Sequence, residues 1–176
     1  LDNHKFLLGF NNGVYDLSYN KFRNGTPDDY ISLCVGYDYQ EFTYDDKLII
    51  EIENFFSKLQ VNQELRENIL IMLSSLLTGN DNHTLNIFKG YGSNGKSSLI
   101  ELIRKTLGDY FGYLPSTILT RTTSNAPIVM ANIKGKRCLG IPELDYDKNI
   151  HTENMKPIID HNLLNAKNYM ANNLHY

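Results

Sequence analysis

The 176-residue chain lacks the features that mark several special classes of protein. No apolar run approaches the length of a membrane-spanning helix, so we expect no membrane partner. Its two cysteines, Cys34 and Cys138, lie far apart in apolar contexts, which indicates reduced thiols rather than a disulfide or a metal site. Basic residues are not in excess. The net charge of −3 argues against a generally basic nucleic-acid coat, although a local basic site is compatible with it.

Internal repeats, low-complexity tracts and an initiator methionine are also absent. The apolar and charged fractions, 41% and 21%, are those of an ordinary globular protein. The length suffices for one core with a small appended subdomain. Because the chain starts at Leu1, we expect it to be a piece of a longer or processed polypeptide.

What the chain does contain is a phosphate-binding motif, since residues 90–97 read G-x-x-x-x-G-K-S. The glycines let successive N–H groups point at phosphate oxygens, and the helix that follows adds its positive amino-terminal end. Lys96 would reach the β- and γ-phosphates, and the Ser97 hydroxyl would bind Mg²⁺. The alternative is a glycine-rich turn that happens to hold Lys-Ser. The predicted nucleotide-binding residues are Gly90, Tyr91, Gly92, Ser93, Asn94, Gly95, Lys96, Ser97 and Ser98.

The flanks of this motif predict a βαβ unit with a parallel sheet. The apolar run 85–88 suits a buried strand, and residues 98–105 indicate a helix that Gly108 ends. Residues 136–141 are a plausible second core strand.

An acidic residue at the end of a neighbouring strand would complete an NTPase site, where it holds Mg²⁺ through water or orients the attacking water. Glu143 is the first acidic residue after the strand at 136–141, and Asp145 is a weaker candidate. The alternative for Glu143 is a solvated loop carboxylate. The predicted catalytic residues are therefore Lys96 and Glu143, and the predicted metal ligands are Ser97 and Glu143.

Upstream of the motif, the pattern indicates short strands and turns over residues 1–43. Two amphipathic helices follow over 45–60 and 62–78, with Asn62 as a candidate cap and Gly79 as the stop. Their apolar stripes favour core packing over a groove for a partner. The stripes comprise Leu48, Ile49, Ile52, Phe55, Phe56 and Leu59 in the first helix, and Leu65, Ile69, Met72, Leu73 and Leu76 in the second.

Together these residues resemble the superfamily 3 helicases of the AAA+ class, and among them the primase-helicase proteins of poxviruses, giant DNA viruses and some phages and plasmids. The resemblance covers nearly the whole chain. The phrases that carry it are residues 12–17 (NGVYDL), 26–31 (TPDDYI), 36–39 (GYDY), 77–79 (LTG), 94–97 (NGKS), 107–111 (LGDYF), 114–115 (LP) and 134–137 (KGKR) leading to Glu143.

The resemblance implies an α/β fold, namely a P-loop NTPase (AAA+-like) core whose parallel sheet is flanked by helices. The core would be truncated after a hairpin motif and preceded by a small α+β and helical region. It implies three parts: residues 1–43 as the end of the pre-helicase, primase-helicase linker region, 44–80 as a helical subdomain, and 81–176 as a partial helicase core.

The hairpin motif of this family contacts DNA in a central channel, and residues 156–169 keep its spacing. Lys156 and Lys167 hold the basic positions. Where the family has a Gly-Gly-Asp turn, this chain has Asp-His-Asn at 160–162, and Asp and Asn also make tight turns. The resemblance therefore implies that Lys156, His161 and Lys167 contact DNA. Solvated surface residues are the alternative for each of them.

The function implied by the resemblance is that of an ATP-dependent DNA helicase fragment, with ATP and Mg²⁺ as cofactors and single-stranded or forked DNA as partner. The full-length protein would form a homo-hexamer and act at a cytoplasmic viral replication site in an infected cell. The family's sensor residue and arginine finger are not found in the chain, so the alternative is a non-motor nucleotide-binding or assembly module. A small-molecule kinase is a third possibility, but Arg121 and Arg137 are too few and too scattered for its arginine lid.

Overall fold

The computed structural model describes residues 1–80, 84–90, 95–120 and 134–141. Strands and short turns come first, a pair of helices follows, and a mixed region of helices and strands completes the described part, which confirms the α/β class. The strands are β1 (Leu7–Phe10), β2 (Gly13–Asp16), β3 (Lys21–Arg23), β4 (Phe111–Tyr113) and β5 (Cys138–Gly140). The helices are α1 (Lys47–Leu59), α2 (Gln63–Ser75), α3 (Lys96–Leu107) and α4 (Thr117–Thr120), with 3₁₀ turns at Pro27–Asp29 and Gly108–Tyr110.

The sequence predicted short strands and turns in residues 1–43, and the first three strands are present there. They form an antiparallel sheet in the order β1-β2-β3. Leu8 lies opposite Tyr15, and Tyr15 lies opposite Phe22, so these three side chains share one face. The 3₁₀ turn after β3 is held by Asp29, whose carboxylate accepts two hydrogen bonds from the Arg23 guanidinium (2.9 and 2.7 Å) and one from the Thr26 N–H (2.7 Å). The sheet and its turn are therefore closed by local contacts.

The two predicted helices are present with slightly shorter bounds, at Lys47–Leu59 and Gln63–Ser75. Asn62 caps the second, because its side-chain oxygen accepts the Leu65 N–H at 3.0 Å. The second helix ends before Gly79. The N–H groups of Leu76, Leu77 and Thr78 bond to carbonyls three residues back, which tightens the last turn into 3₁₀ geometry.

The prediction that both apolar stripes pack into the core is only partly correct. Phe56 of α1 is buried, whereas none of the residues of α2 is. Leu48, Ile52 and Leu65 are 69%, 50% and 50% exposed. Each stripe contacts the core over its second half. The contacts are made by Phe55, Phe56 and Leu59 in α1, by Ile69 and Leu73 in α2, and by Leu76 just after α2.

The core is centred on α3, which buries Leu99, Ile103 and Leu107 at helical spacing. Around this stripe lie residues from distant parts of the sequence, so the amino-terminal sheet, α1 and β4 share one core with α3. The other members of the buried cluster are Leu8, Val35, Phe56, Tyr110 and Phe111.

A parallel strand pair follows α3, and only one of its two strands is among those that the sequence predicted. The expected strand at 136–141 is present as β5, and it pairs in parallel with β4, which the sequence did not predict. The prediction of a buried strand at 85–88 is wrong. Those residues form no strand, and Leu85 and Ile87 are 45% and 76% exposed. In the described part of the chain the sheets contain only β1-β2-β3 and β4-β5, so no described strand pairs with residues 85–88.

Both cysteines are free and half-buried. Burial raises the pKa of the Cys138 thiol to about 11. The Cys34 thiol donates to the Asn11 side-chain oxygen and accepts from the Gly36 N–H, each at 3.3 Å. Within the described ranges, no helix is long and apolar enough to cross a membrane.

Candidate functional site

The predicted phosphate-binding motif opens α3, and its last glycine, Gly95, has a conformation that suits such a loop. Gly95 is the residue before the helix, with φ 81° and ψ 0°, a left-handed conformation that side chains disfavour. A Cβ at this position would lie 2.5 Å from Cδ1 of Leu59, at the end of α1. Glycine is therefore favoured at position 95 by the backbone conformation, while a larger residue would also displace the tip of Leu59.

Lys96 begins α3, and its ammonium group donates to the carbonyl oxygen of Gly90 at 3.0 Å. Gly90 and Lys96 are the outer glycine and the lysine of the motif, so this bond joins its two ends. The side chain of Lys96 is half-buried, whereas Ser97 and Ser98 are exposed in the first helical turn. The loop therefore brings its lysine and its hydroxyls to the same end of α3.

Electrostatics at this end of α3 favour an anion. The first N–H groups of a helix have no partner within the helix, and together they carry a partial positive charge. The first turn of α3 contains no acidic residue, while Arg104 and Lys105 lie in the last turn, where they complement the negative end of the dipole. Glu101 is engaged in the middle of the helix by Arg104, at 2.8 and 2.7 Å. No described carboxylate of α3 therefore competes for the positive end.

Several predicted site residues lie outside the described residues, and their predictions are untested. Among residues 1–80, 84–90, 95–120 and 134–141, no group of three or more His, Cys, Asp or Glu side chains is arranged to hold a metal ion. The predicted residues outside these ranges are Tyr91, Gly92, Ser93 and Asn94 of the loop, Arg121, the acids Glu143 and Asp145, and the DNA-binding candidates Lys156, His161 and Lys167.

The opposite end of α3 is fixed by contacts that the sequence did not reveal. Gly108, at the end of the helix, packs so closely on Val35 that a Cβ would lie 2.2 Å from the Val35 carbonyl oxygen. Next to it, the Asp109 N–H donates to the Cys34 carbonyl (2.9 Å), and the Cys34 N–H donates to the Asp109 carboxylate (3.1 Å). The Tyr37 hydroxyl donates to the Thr106 carbonyl at 2.8 Å.

Tyr110 and Arg137 complete this contact region. The buried Tyr110 hydroxyl accepts the Gly9 N–H at 3.0 Å and donates to the Leu33 carbonyl at 2.9 Å. The guanidinium carbon of Arg137 lies 4.4 Å from the centre of the Tyr110 ring, a cation–π contact. Its nitrogens donate to the carbonyls of Leu7 and Leu77. We call Tyr37, Asp109, Tyr110 and Arg137 the distal anchor.

The distal anchor also bears on the kinase alternative, which needs mobile arginines that can close over a substrate. Burial lowers the pKa of Arg137, and the side chain is held by a ring and two carbonyls. Arg137 is therefore committed to the fold and does not suit an arginine lid.

An open cleft of about 580 Å³ lies away from the motif, on the amino-terminal sheet. Its aromatic residues pack on one another and on Phe22, which stacks on Tyr39 at 4.5 Å. Tyr37 of the cleft reaches the last turn of α3 rather than its first turn. We interpret the cleft as the open side of a satellite aromatic cluster. It is lined by Phe10, Asn11, Tyr37, Asp38, Tyr39 and Gln40.

Comparison with known proteins gives one family match and several relatives. Residues 1–68 match the family model described as D5 N terminal like. Over 160 residues the chain is 40% identical to the protein named Putative helicase L207/L206 of Acanthamoeba polyphaga mimivirus. It is 35% identical over 123 residues to Putative helicase 184R of Invertebrate iridescent virus 6, and 28% identical over 174 residues to Primase D5 of Fowlpox virus.

These alignments cover most of this chain but little of each relative. They span 89%, 68% and 90% of the chain, and 17%, 13% and 22% of the three relatives in the same order. The similarity therefore concerns one segment of much longer proteins.

Proposed function

We propose that this chain supplies part of the ATP site of a DNA helicase. The proposal starts from its family, because the chain belongs to the primase-helicase proteins of giant viruses and poxviruses. The observation that carries this proposal is the geometry of the motif. Gly95 takes the left-handed conformation at the start of α3, and Lys96 reaches back to Gly90. That arrangement supports a P-loop which binds the phosphates of a nucleotide.

The residues present fit a triphosphate with its magnesium ion. The N–H groups of the first turn of α3 would bind phosphate oxygens, and Lys96 would exchange its bond to Gly90 for the β- and γ-phosphates. The exposed Ser97 hydroxyl would hold Mg²⁺, which neutralises charge on the phosphates. Glu143, and less strongly Asp145, would complete the site by orienting water.

Coupling to DNA is the second half of the proposal. A translocating helicase grips phosphates with a few cationic side chains and does not need to read bases. Lys156 and Lys167, with His161 between them, are the residues that the family spacing assigns to this contact. The net charge of −3 is compatible with such a local site. In this proposal the full-length protein forms a homo-hexamer on single-stranded or forked DNA.

One observation favours the alternative of a non-motor, nucleotide-gated assembly module. A hydrolytic P-loop site is built at the ends of adjacent parallel strands, and residues 85–88 do not form the strand that would precede the loop. A module of this kind would bind ATP through Lys96 without turning it over.

The test is ATP hydrolysis with and without single-stranded DNA, in a polypeptide extended beyond Tyr176 to the length of the relatives. Lys96→Ala and Glu143→Gln are compared with Lys105→Ala, which changes a 70% exposed lysine of the same helix. We expect DNA-stimulated turnover that both site variants abolish and the control retains. ATP binding through Lys96 without turnover would replace the motor by the assembly module. Loss of salt-sensitive DNA binding on changing Lys156 and Lys167 to Ala would locate the DNA contact.

A further inference from the structure

The helix that opens with the phosphate-binding motif is held at its far end by the amino-terminal sheet. Tyr110 bonds to Gly9 of β1 and to Leu33, while Arg137 bonds to Leu7 of β1 and to Leu77 after α2. We propose that Tyr110 and Arg137 are positioning residues for the nucleotide site, which link phosphate binding at one end of α3 to docking of the amino-terminal sheet at the other. This inference rests on the proposed function.

Helix α3 is a rigid connection between the two sites. It has twelve residues, so it is about 18 Å long. Its buried stripe, Leu99, Ile103 and Leu107, packs into one core along the whole length. A packed helix moves as a unit rather than bending, so a shift at the distal anchor also moves its first turn.

The Tyr110 hydroxyl has two partners, which both belong to the amino-terminal region. It accepts from the N–H of Gly9 and donates to the carbonyl of Leu33, on neighbouring chain segments. These segments also pair directly, since the Val35 N–H donates to the Gly9 carbonyl at 2.9 Å. The hydroxyl therefore fixes where the sheet sits on the residues that follow α3.

Arg137 fixes the same junction from the other side. The backbone N–H of Arg137 donates to the backbone carbonyl of Tyr110 at 2.7 Å. This bond immediately precedes the pairing of β5 with β4. Among the described residues no carboxylate pairs with Arg137, and its charge is balanced by carbonyl dipoles and the Tyr110 ring. Such a contact has strict directional requirements, because a planar guanidinium must satisfy a ring and two carbonyls at once.

The consequence is a reciprocal link. If binding of phosphate requires one placement of the first turn of α3, then it also favours the docked placement of the sheet, and docking favours phosphate binding by the same factor. A variant that populates the undocked state therefore weakens binding, by at most that factor. The hydrogen bonds and ring contact of Tyr110 and Arg137 involve neither Gly90 nor residues 95–98, the described part of the motif. A role limited to stability would therefore leave the nucleotide affinity of the folded protein unchanged.

The experiment compares Tyr110→Phe with Tyr113→Phe in the 176-residue chain. Both remove one hydroxyl from nearby tyrosines, but Tyr113 is 55% exposed and lies on β4. Affinity for Mg·ATP is measured by calorimetry at a temperature where thermal melts show each variant fully folded. Hydrogen exchange of the Gly9 amide is measured with and without Mg·ATP. Arg137→Lys, which keeps the charge but loses the planar fork, is the second variant if Tyr110→Phe does not fold.

We expect Tyr110→Phe and Arg137→Lys to weaken Mg·ATP binding by about two- to thirtyfold, and Tyr113→Phe to leave it unchanged. Mg·ATP should slow exchange of the Gly9 amide in the unaltered chain by a similar factor. Unchanged affinity in both anchor variants, with binding still lost in Lys96→Ala, would overturn this inference and leave the proposed function standing. An unaltered chain that does not bind Mg·ATP would overturn both.

Discussion

The two ends of α3 are built for different purposes. At the first turn, exposed Ser97 and Ser98 and a half-buried lysine surround a positive helix end. At the last turn, Gly108, Asp109 and Tyr110 are packed or hydrogen-bonded to the amino-terminal region. One end exposes two serines to solvent, whereas the other uses its polar groups to fix the helix. A helix held at one end can present the other at a constant place.

The two glycines that bound α3 express the same contrast. Both have positive φ, 81° at Gly95 and 51° at Gly108. A Cβ at Gly95 would meet the tip of the Leu59 side chain, which can rotate away. A Cβ at Gly108 would meet the backbone of Val35, which cannot move without the amino-terminal sheet. The packing contact at Gly95 is therefore adjustable, whereas the packing contact at Gly108 is rigid.

The largest expected effect is that of Gly108→Ala. The new Cβ would lie 2.2 Å from the Val35 carbonyl oxygen, so the anchored end has to separate. We expect the free energy of unfolding to fall by at least about 3 kcal/mol, as measured by urea denaturation. Gly36→Ala is the control, because Gly36 has φ 88° but nothing within 4 Å of its Cβ position. Equal losses at both glycines would show that the anchored end is not rigid.

Lys96→Ala should have the next largest effect, on ligand affinity rather than on folding. The ammonium group turns across the motif, and charge-assisted bonds to phosphate contribute about 1.5–3 kcal/mol. We expect Mg·ATP affinity to fall by about 10- to 100-fold in calorimetry. Lys105→Ala, in the last turn of the same helix, should bind as the unaltered chain does. If both lysines affected affinity alike, general charge and not the motif would attract the nucleotide.

Gly95→Ala should cost less stability than Gly108→Ala, about 1–2 kcal/mol by urea denaturation, because the Leu59 tip can move. The double variant Gly95→Ala with Leu59→Ala separates the two causes. Removing the Leu59 tip should recover the packing part of the loss and leave the backbone part. A double variant that loses the simple sum of the two single effects would argue against a direct contact between α1 and the motif.

The smallest expected effect is a loss of stability at low pH. It should weaken the Arg23–Asp29 pair and leave the Tyr110 hydrogen bonds of the distal anchor in place. Hydrogen bonds from Arg23, and then from Thr26, hold the pKa of Asp29 well below its usual range. Asp29 therefore stabilises the fold above about pH 4, and its contribution is lost as the pH falls toward the lowered pKa. The loss should be about 1 kcal/mol between pH 5 and pH 2.5, the scale of one paired carboxylate.

Hydrogen exchange locates this acid effect. The Thr26 amide, which donates to Asp29, should exchange faster in acid relative to its intrinsic rate. The Gly9 amide, which donates to a tyrosine hydroxyl, should keep its protection. Asp29→Asn should remove the pH dependence, and Asp28→Asn, at the exposed neighbour, should not. If the Thr26 and Gly9 amides lost their protection from exchange together, the distal anchor would depend on the Arg23–Asp29 ion pair.

Sequence reasoning succeeded where the signal is local. The Asn62 cap and the end of α3 at Gly108 follow from residue type within a few positions, and the structure confirms them. The α/β class follows from the same local patterns. These features need no knowledge of distant contacts.

Sequence reasoning failed where partners are distant. The apolar run 85–88 has strand composition, but a strand exists only if another strand pairs with it, and no described strand pairs with these residues. The link between Tyr110 and Gly9 spans 101 positions, and no periodicity predicts it. The predictions for Glu143, Lys156 and Lys167 stay predictions.

The contrast between the two cysteines has a practical consequence for spectroscopy. Alkylating dyes react with the thiolate, and burial raises the pKa of the Cys138 thiol to about 11, which lowers its thiolate fraction further. Cys34 lies beside the distal anchor, and its backbone bonds to Asp109. A thiol dye applied at pH 7 would therefore label Cys34 in preference, which places a fluorophore at the junction between α3 and the amino-terminal sheet without any substitution.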